Sequence, residues 1–315
     1  VFWYAARRIA ASVPVLLLVT LISFSMMHLV PGDPAAAIAG SGATNAEIEA
    51  IRLQLGLDKP FLVQLATWFG GLLQGDLGRS ILLNRPVWQA IVERLPITLP
   101  LALFALALTL LIGIPAGVIA ALRANTWVDQ AVTGLAMLGV SVPSFWLALM
   151  LIVLFGVHLE WLPTGGFVPF SEDPAAWARS MVLPSISLAL LQIGLLARIT
   201  RGTMLEVLRQ DYVRTARAKG LPGWMVIGKH ALKNVMVPVV TVIGISFGLL
   251  LSGSIVIETV YGMPGIGRLI ANAIFGRDYP VIQGGLLLTG TILVLLNLVV
   301  DLLYAVIDPR VRYGR

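Results

Sequence analysis

ITLPLALFALALTLLIGIPAGVIAAL, the stretch Ile97–Leu122, carries no charged side chain in 26 residues. A helix crosses the hydrocarbon of a bilayer with roughly 20 mainly apolar residues, so this run is long enough to span. The rest of the chain follows it. Of 315 residues, 58% are hydrophobic and 12% charged, with a mean hydropathy of +0.90. Soluble globular chains carry about 25% charged residues. Half that share leaves too little polar surface to face water on every side, so lipid must be part of the solvent. No cysteine is present, which removes disulfides, thiolate metal sites and cysteine nucleophiles.

Five further apolar runs lie outward from the first: Ile9–Val30, Ala131–Phe155, Met181–Ile199 (the shortest), Val235–Ile257 and Gly284–Ile307. Pro14, Pro115, Pro143, Pro184 and Pro238 fall inside the spans. Membrane helices tolerate proline because neighbouring helices and water satisfy the freed carbonyls. The expectation is an all-α integral membrane protein with six transmembrane helices.

Six spans place both ends on one side, and Lys and Arg favour the cytoplasmic side. With the ends inside, 14 of the 22 Lys and Arg are inner. These are Arg7, Arg8, Arg123, the eight from Arg198 to Lys233, and three after Ile307. The outer ones are spread over far more residues. Arg52, Lys59 and Arg79 lie deep in a long loop, where the rule is weak. Both termini are therefore expected to be cytoplasmic. This distribution argues against nucleic acid as the reason for the net charge of +6. The first run exceeds a signal-peptide h-region, and Val30-Pro31-Gly32-Asp33-Pro34 is no small-residue cleavage site. It is expected to remain as a span.

The resulting organisation is an N-terminal helix (1–30), an extracytoplasmic segment (31–96) and a core of five spans (97–309) with a cytoplasmic loop at 200–234. In the outer segment, Ala46–Leu55 and Phe61–Leu73 have helical patterning. Asn45 or Thr44 could cap the first of these. In the inner loop, Asp211-Tyr-Val-Arg-Thr-Ala-Arg-Ala-Lys-Gly220 reads as a helix ending in a C-cap glycine. Leu221-Pro222-Gly223 breaks it, and a second short helix is expected over about Trp224–Asn234, running into the fifth span. Ala216 and Ala218 would give the first helix a small, close-packing surface.

Arg214-Thr215-Ala216 followed by Gly220 resembles the "EAA" loop of binding-protein-dependent ABC transporter permeases. In that family this pattern marks a helix that docks into a cleft of the ATPase. The chain departs from it at Arg214 for Glu, at Thr215 for Ala, and at Val237-Pro238 for the closing Leu-Pro. These departures match the dipeptide/oligopeptide/nickel branch, of the first permease subunit type. Further likenesses run along nearly the whole chain: Pro31-Gly32-Asp33-Pro34, Gly75-Asp76-Leu77-Gly78, Ser141-Val142-Pro143-Ser144-Phe145-Trp146, Glu258-Thr259-Val260, Pro264-Gly265-Ile266-Gly267, Asp278-Tyr279-Pro280, Asn297 to Tyr304, and Asp308-Pro309-Arg310.

The resemblance implies the type I ABC importer permease fold in a bacterial or archaeal inner membrane. It implies import of di- or oligopeptides or a related solute such as a nickel chelate. It also implies a second similar permease, two ABC ATPase subunits and an extracytoplasmic substrate-binding protein. The coupling residues would be Asp211, Tyr212, Arg214, Thr215, Ala216, Ala218, Lys219 and Gly220. No cofactor would be bound by this chain, ATP and Mg being held by the ATPases. The residues agree, because no G-x-x-x-x-G-K-[ST] phosphate loop occurs: the four lysines precede Pro60, Gly220, His230 and Asn234.

Other readings stand beside these. The Arg214–Gly220 segment could be a basic loop held by anionic lipid. Asn297 and Asp301 share a helix face one turn apart; a structural pairing of Asp301 with Arg198 or Arg201 competes with a pathway role. Ser141 and Gln192 could line a path or glue helices together. Pro143, with Ser144 beside it, could kink span three for gating or for packing. Glu258, Pro264, Gly265 and Gly267 are candidates for an outer gate, Gly262 to Gly267 shaping a re-entrant or tight turn. His28, His158 and His230 lack metal-ligand spacing. A stand-alone ion-coupled secondary transporter or channel is the alternative, but it would need ionisable residues near the midplane. An intramembrane hydrolase would need converging acid, base or nucleophile groups, and only isolated ones occur.

Overall fold

A computed structural model describes residues 2–29, 33–40, 42–54 and 56–307. Pro31 and Gly32, the side chain of His28, and Asp308-Pro309-Arg310 with the basic tail lie outside the described residues. Regular structure among the described residues is helical, apart from one antiparallel bridge between Arg79 and Pro86.

Five helical stretches are long and apolar enough to cross a membrane: 6–27, 87–122, 174–208, 223–260 and 279–302. A sixth exists if helices α7 (Trp127–Ser141) and α8 (Ser144–Leu151, continued as a π turn over Ile152–His158) count as one span. The sequence suggests one run over Ala131–Phe155. Instead the two pieces meet at 102°. Pro143 offers no N–H and holds Val142 extended, at φ −83° and ψ 123°, which ends α7 there.

The chain forms two compact units. Among the described residues, the first (2–6, 97–264 and 296–307) is built around α9, Pro174–Leu208. Asp173 caps it by accepting from the amides of Ala175 and Ala176 at 2.9 and 3.0 Å, with Pro174 in the first turn. The run Met181–Ile199, shortest in the sequence reading, thus becomes the longest helix. Hydrophobicity ended the reading at both sides, but Trp177 and Ser180 before it and Thr200 to Leu208 after it continue the backbone ladder. The loop expected over 200–234 is correspondingly shorter.

Helix α6 (Leu95–Leu122) and α7 both approach α9 closely. A Cβ on Gly117 would sit 2.5 Å from the Ala197 carbonyl oxygen, and one on Gly194 would sit 2.5 Å from that of Ala136. Small residues at such crossings give the dispersion contact that drives helix association in lipid, where no hydrophobic gain is available. Helix α12 (Leu232–Val260) packs on α9 as well, and Leu183, Ala189, Leu250, Ile257 and Tyr261 share one buried cluster with Leu101 and Ala105 of α6. Gly244-Ile245-Ser246-Phe247-Gly248 has the spacing of a hydrolase nucleophile elbow. It lies mid-α12 with Ser246 buried, not on a strand–helix turn.

The second unit comprises 7–96 and 265–295. It holds most of α1 (Phe2–Leu29), then α2 (Pro34–Ala39), α3 (Asn45–Gln54) and α4 (Phe61–Leu73). Thr44 caps α3: its amide donates to Glu47 Oε2 at 2.7 Å, while its hydroxyl faces the Glu47 amide at 3.4 Å. This is a capping box, and the hydrogen bonds from Thr44 hold the Glu47 carboxyl below its usual pKa. Arg52 of α3 reaches Asp33, the cap of α2, at 2.6 Å. A short helix, α5 (Val87–Val92), packs Val87, Ala90 and Ile91 against Leu269, Ile270 and Ala273 of α13 (Ile266–Phe275) and Val281 of α14 (Tyr279–Ile307).

Candidate coupling loop and buried polar sites

Helix α10 (Asp211–Ala218) follows α9 after Arg209 and Gln210. Val213 and Ala216, one turn apart, are buried against Val226, with Leu208 and Leu221 alongside. Ala216 therefore packs on its own chain and is not part of an outward small surface; only Ala218 of the two alanines is exposed. The outward residues are Asp211, Tyr212, Arg214, Thr215, Arg217, Ala218 and Lys219. Tyr212 is tied to the start of α12, its hydroxyl accepting from Asn234 Nδ2 at 2.7 Å. Thr215 Oγ1 donates to the Asp211 carbonyl at 2.9 Å.

Gly220 closes α10 as the sequence suggests. Its φ is +76°, and an added Cβ would meet no atom within 4 Å. The demand is conformational and not steric. The Gly220 amide donates to the Arg217 carbonyl at 2.9 Å and the Leu221 amide to that of Ala216 at 3.4 Å, the pair of bonds of a Schellman motif. Beyond Pro222, the helix expected over about Trp224–Asn234 runs into the next span, as its sequence suggests. Helix α11 (Gly223–Met225), a π turn at Val226–Ala231 and α12 run on continuously. With Arg209, Lys229 and Lys233 also exposed, the loop region is strongly basic.

The other candidates do not converge on one site. Ser141 and Pro143 are exposed at the bend, with Ser144 half-buried beside them, and Ser141 Oγ donates to the Met137 carbonyl. Gln192 is buried on α9 and its Oε1 accepts no hydrogen bond. Glu258 is fully buried and accepts from Thr98 Oγ1 at 2.6 Å. The chain passes from one unit to the other between Pro264, which is exposed, and Gly265, which with Gly267 is buried at the start of α13. Asn297 is exposed on α14 and Asp301 half-buried one turn later.

Arg201 is not held by Asp301. Its Nε and Nη2 donate to Asp129 Oδ1 and Oδ2 at 2.5 and 2.6 Å, joining α9 to the first turn of α7. Asp129 also accepts from the Asn125 amide at 2.9 Å. The sequence reading passes over Asp129 because it lies two residues before the apolar run. An acid at the edge of a span, with a basic residue inside a neighbouring one, is the signal that could have found it. Tyr261 is a second omission: its hydroxyl meets Ser187 Oγ at 3.0 Å and the Ala148 carbonyl at 3.3 Å, fixing the end of α12 to α9 and α8. In the second unit, buried Asp278 accepts from Ser80 Oγ at 2.5 Å and from the amides of Ile81 and Leu82 at 3.3 and 3.1 Å.

Residues 113–313 match the family model for the binding-protein-dependent transport system inner membrane component, and residues 1–102 match its N-terminal companion. A Brucella abortus (strain 2308) chain bearing the name of a peptide transport system permease protein is 52% identical over 307 residues, covering 98% of each chain. The dipeptide transport system permease protein DppB of Escherichia coli (strain K12) is 42% identical over 336 residues, covering 99% of each. Among solved structures, an inward-facing MetNI methionine ABC transporter shares the fold over 70% of this chain and 97% of that one, with a TM-score of 0.59 at 18% identity.

Proposed function

This chain belongs to the family of binding-protein-dependent transport system inner membrane components, and we propose that it is a permease subunit of an ATP-driven importer of di- or oligopeptides or a related small solute. It forms half of the pathway beside a second permease. Two ATPase subunits bind ATP and Mg and dock on α10; an extracytoplasmic binding protein delivers solute to the outer face. Both termini are cytoplasmic, on the Lys and Arg asymmetry.

One observation carries the coupling role. Helix α10 is a basic, exposed helix pinned to its own chain by Val213, Ala216 and the Tyr212–Asn234 bond, and it lies between α9 and the continuous α11–α12 stretch. Those two helices pack on one another at the centre of their unit. A load applied to α10 is therefore delivered to both. Solute-specific contacts are not needed for this step, only a rigid lever and a partner cleft complementary to its outward face.

The test uses outward residues, because Ala216 substitutions would disturb the loop itself. Thr215→Trp and Ala218→Trp are expected to leave membrane insertion and solute capture by the binding protein unchanged. Both are expected to abolish co-purification of the ATPases and substrate-stimulated ATP hydrolysis in proteoliposomes. Wild-type values of both in the two variants would return α10 to a lipid-held basic loop. Uptake of labelled dipeptides, oligopeptides and nickel chelates by the full complex separates the solute classes.

A further inference from the structure

Helix α4 is 13 residues long, FLVQLATWFGGLL, with no charged side chain and no fully buried residue. Gln64 and Trp68 are half-buried, while Thr67 is exposed with its hydroxyl donating to the Val63 carbonyl at 2.8 Å. Gln64, Thr67 and Trp68 line a cavity of about 200 Å³ that also touches Phe24 of α1 and Gln283 of α14. Phe61 and Trp68 lie against the Phe24 ring with centroids 5.5 and 5.4 Å away. The opposite stripe, Leu62, Ala66, Phe69 and Leu73, is spaced four, three and four residues apart and so lies on one face. It is wholly apolar, and Leu62 and Leu73 are 74% and 87% exposed.

An amphipathic helix at a water-facing surface turns its apolar side inward. Helix α4 instead exposes an apolar stripe. It is also continuous, through Phe24, with a membrane-spanning helix whose Ile9, Val13, Leu17, Leu18 and Ile22 are exposed and apolar. At 1.5 Å per residue α4 measures about 20 Å, too short for a hydrocarbon layer of about 30 Å. Charged and polar side chains stand immediately outside it, Asp58 and Lys59 before and Gln74 and Asp76 after, all exposed. Trp68, an amphipathic ring, suits the headgroup level, where Trp and Tyr concentrate.

We propose that α4 is an in-plane interfacial helix whose Leu62–Ala66–Phe69–Leu73 stripe lies in the acyl chains of one phospholipid leaflet beside α1. This holds independently of the transported solute and of the docking role of α10. The segment after the first span is then not wholly an aqueous loop: part of it rides on the membrane and fixes the outer half of its unit at a set depth.

The chain has no cysteine, so single labelling sites can be introduced cleanly. Leu62→Cys, Ala66→Cys and Leu73→Cys would carry nitroxide spin labels in the assembled transporter, with cysteine-free partner subunits, in phosphatidylethanolamine–phosphatidylglycerol nanodiscs. Collision rates with oxygen, which concentrates in lipid, are compared with those of a water-soluble nickel chelate. The oxygen-to-nickel ratio at all three sites is expected to match that of Leu18→Cys on α1 and to exceed that of Asp76→Cys several-fold. Ratios equal to that of Asp76→Cys would overturn the proposal by placing α4 in water. Immobile labels shielded from both reagents would overturn it by placing a protein partner on the stripe.

Discussion

Each unit buries an aspartate, and the two are satisfied in opposite ways. Asp129 meets a full countercharge, the guanidinium of Arg201, through two parallel bonds between helices 72 residues apart in sequence. Asp278 meets no side-chain cation in its recorded bonds; a hydroxyl and two backbone amides of the Ser80–Leu82 turn surround it. The first arrangement is a crosslink between two rigid elements. The second is a mould: the carboxylate dictates the path of a loop whose own residues supply the donors. A crosslink can be removed from both ends at once. A mould cannot, because two of its three donors are backbone amides.

The largest effect is expected at the crosslink. Asp129→Leu strands a guanidinium whose side chain is only 28% exposed. Breaking a buried pair costs about 3–5 kcal/mol, less here where water reaches Arg201. The thermal midpoint and folded yield of the complex in detergent should fall sharply. Asp129→Leu with Arg201→Leu should recover most of the loss, since an apolar replacement of a whole pair is often neutral. A double variant as unstable as the single one would mean that the pair is not what joins α7 to α9.

At the mould, Asp278→Ala leaves two amides and a hydroxyl without their acceptor, an expected loss of about 1–3 kcal/mol. Hydrogen exchange should rise over residues 79–86 before the rest of the unit. Ser80→Ala removes one donor, together with the acceptor for the Leu83 amide at 2.9 Å, and should cost about 1 kcal/mol. Uniform loss of protection across the unit would contradict a local role.

The smallest effect belongs to an exposed carboxylate doing similar work. Glu47 is held below its ordinary pKa by the Thr44 amide and hydroxyl. Its contribution to the start of α3 is therefore complete above the unfolded carboxylate range and fades as pH falls through the lowered folded value. Amide exchange at Ile48 and its neighbours should become faster on acidification, and Glu47→Gln should flatten that dependence. An unchanged profile in Glu47→Gln would remove the capping box from the account.

How much of this could be read from residues alone depends on the kind of signal. The apolar runs gave the spans, except that Ala131–Phe155 is two helices meeting at 102°, and Phe61–Leu73 emerged at the residues its pattern suggested. Gly220 was legible because a helix-ending glycine has a conformational reason. Helix α9 was cut short because hydrophobicity marks lipid contact and not helix length; Arg198, Arg201 and Glu206 sit on a helix that simply leaves the apolar layer. The inward turn of Ala216 was readable from its i, i+3 spacing with Val213, but small size suggested an outward surface. Asp129 could be flagged as an acid at the edge of a span, but its choice of Arg201 as partner depends on the packing of α7 against α9 and was not readable. The π turns have no periodic signature that sets them apart from α-helix.

One of those turns sets more than local geometry. Val226–Ala231 winds i to i+5, so it holds one residue that an α ladder would not use. Deleting Gly228, which lies in open space, would let the ladder close. The helix before it would keep nearly its present phase, because the π turn already absorbs the extra residue; deleting a residue from the α part of α12 would instead rotate everything before it by about 100° and draw it in by about 1.5 Å. The direction in which α10 presents its basic side is thus a phase angle, cut like the thread of a screw and adjustable by single-residue insertions or deletions that leave the loop unaltered.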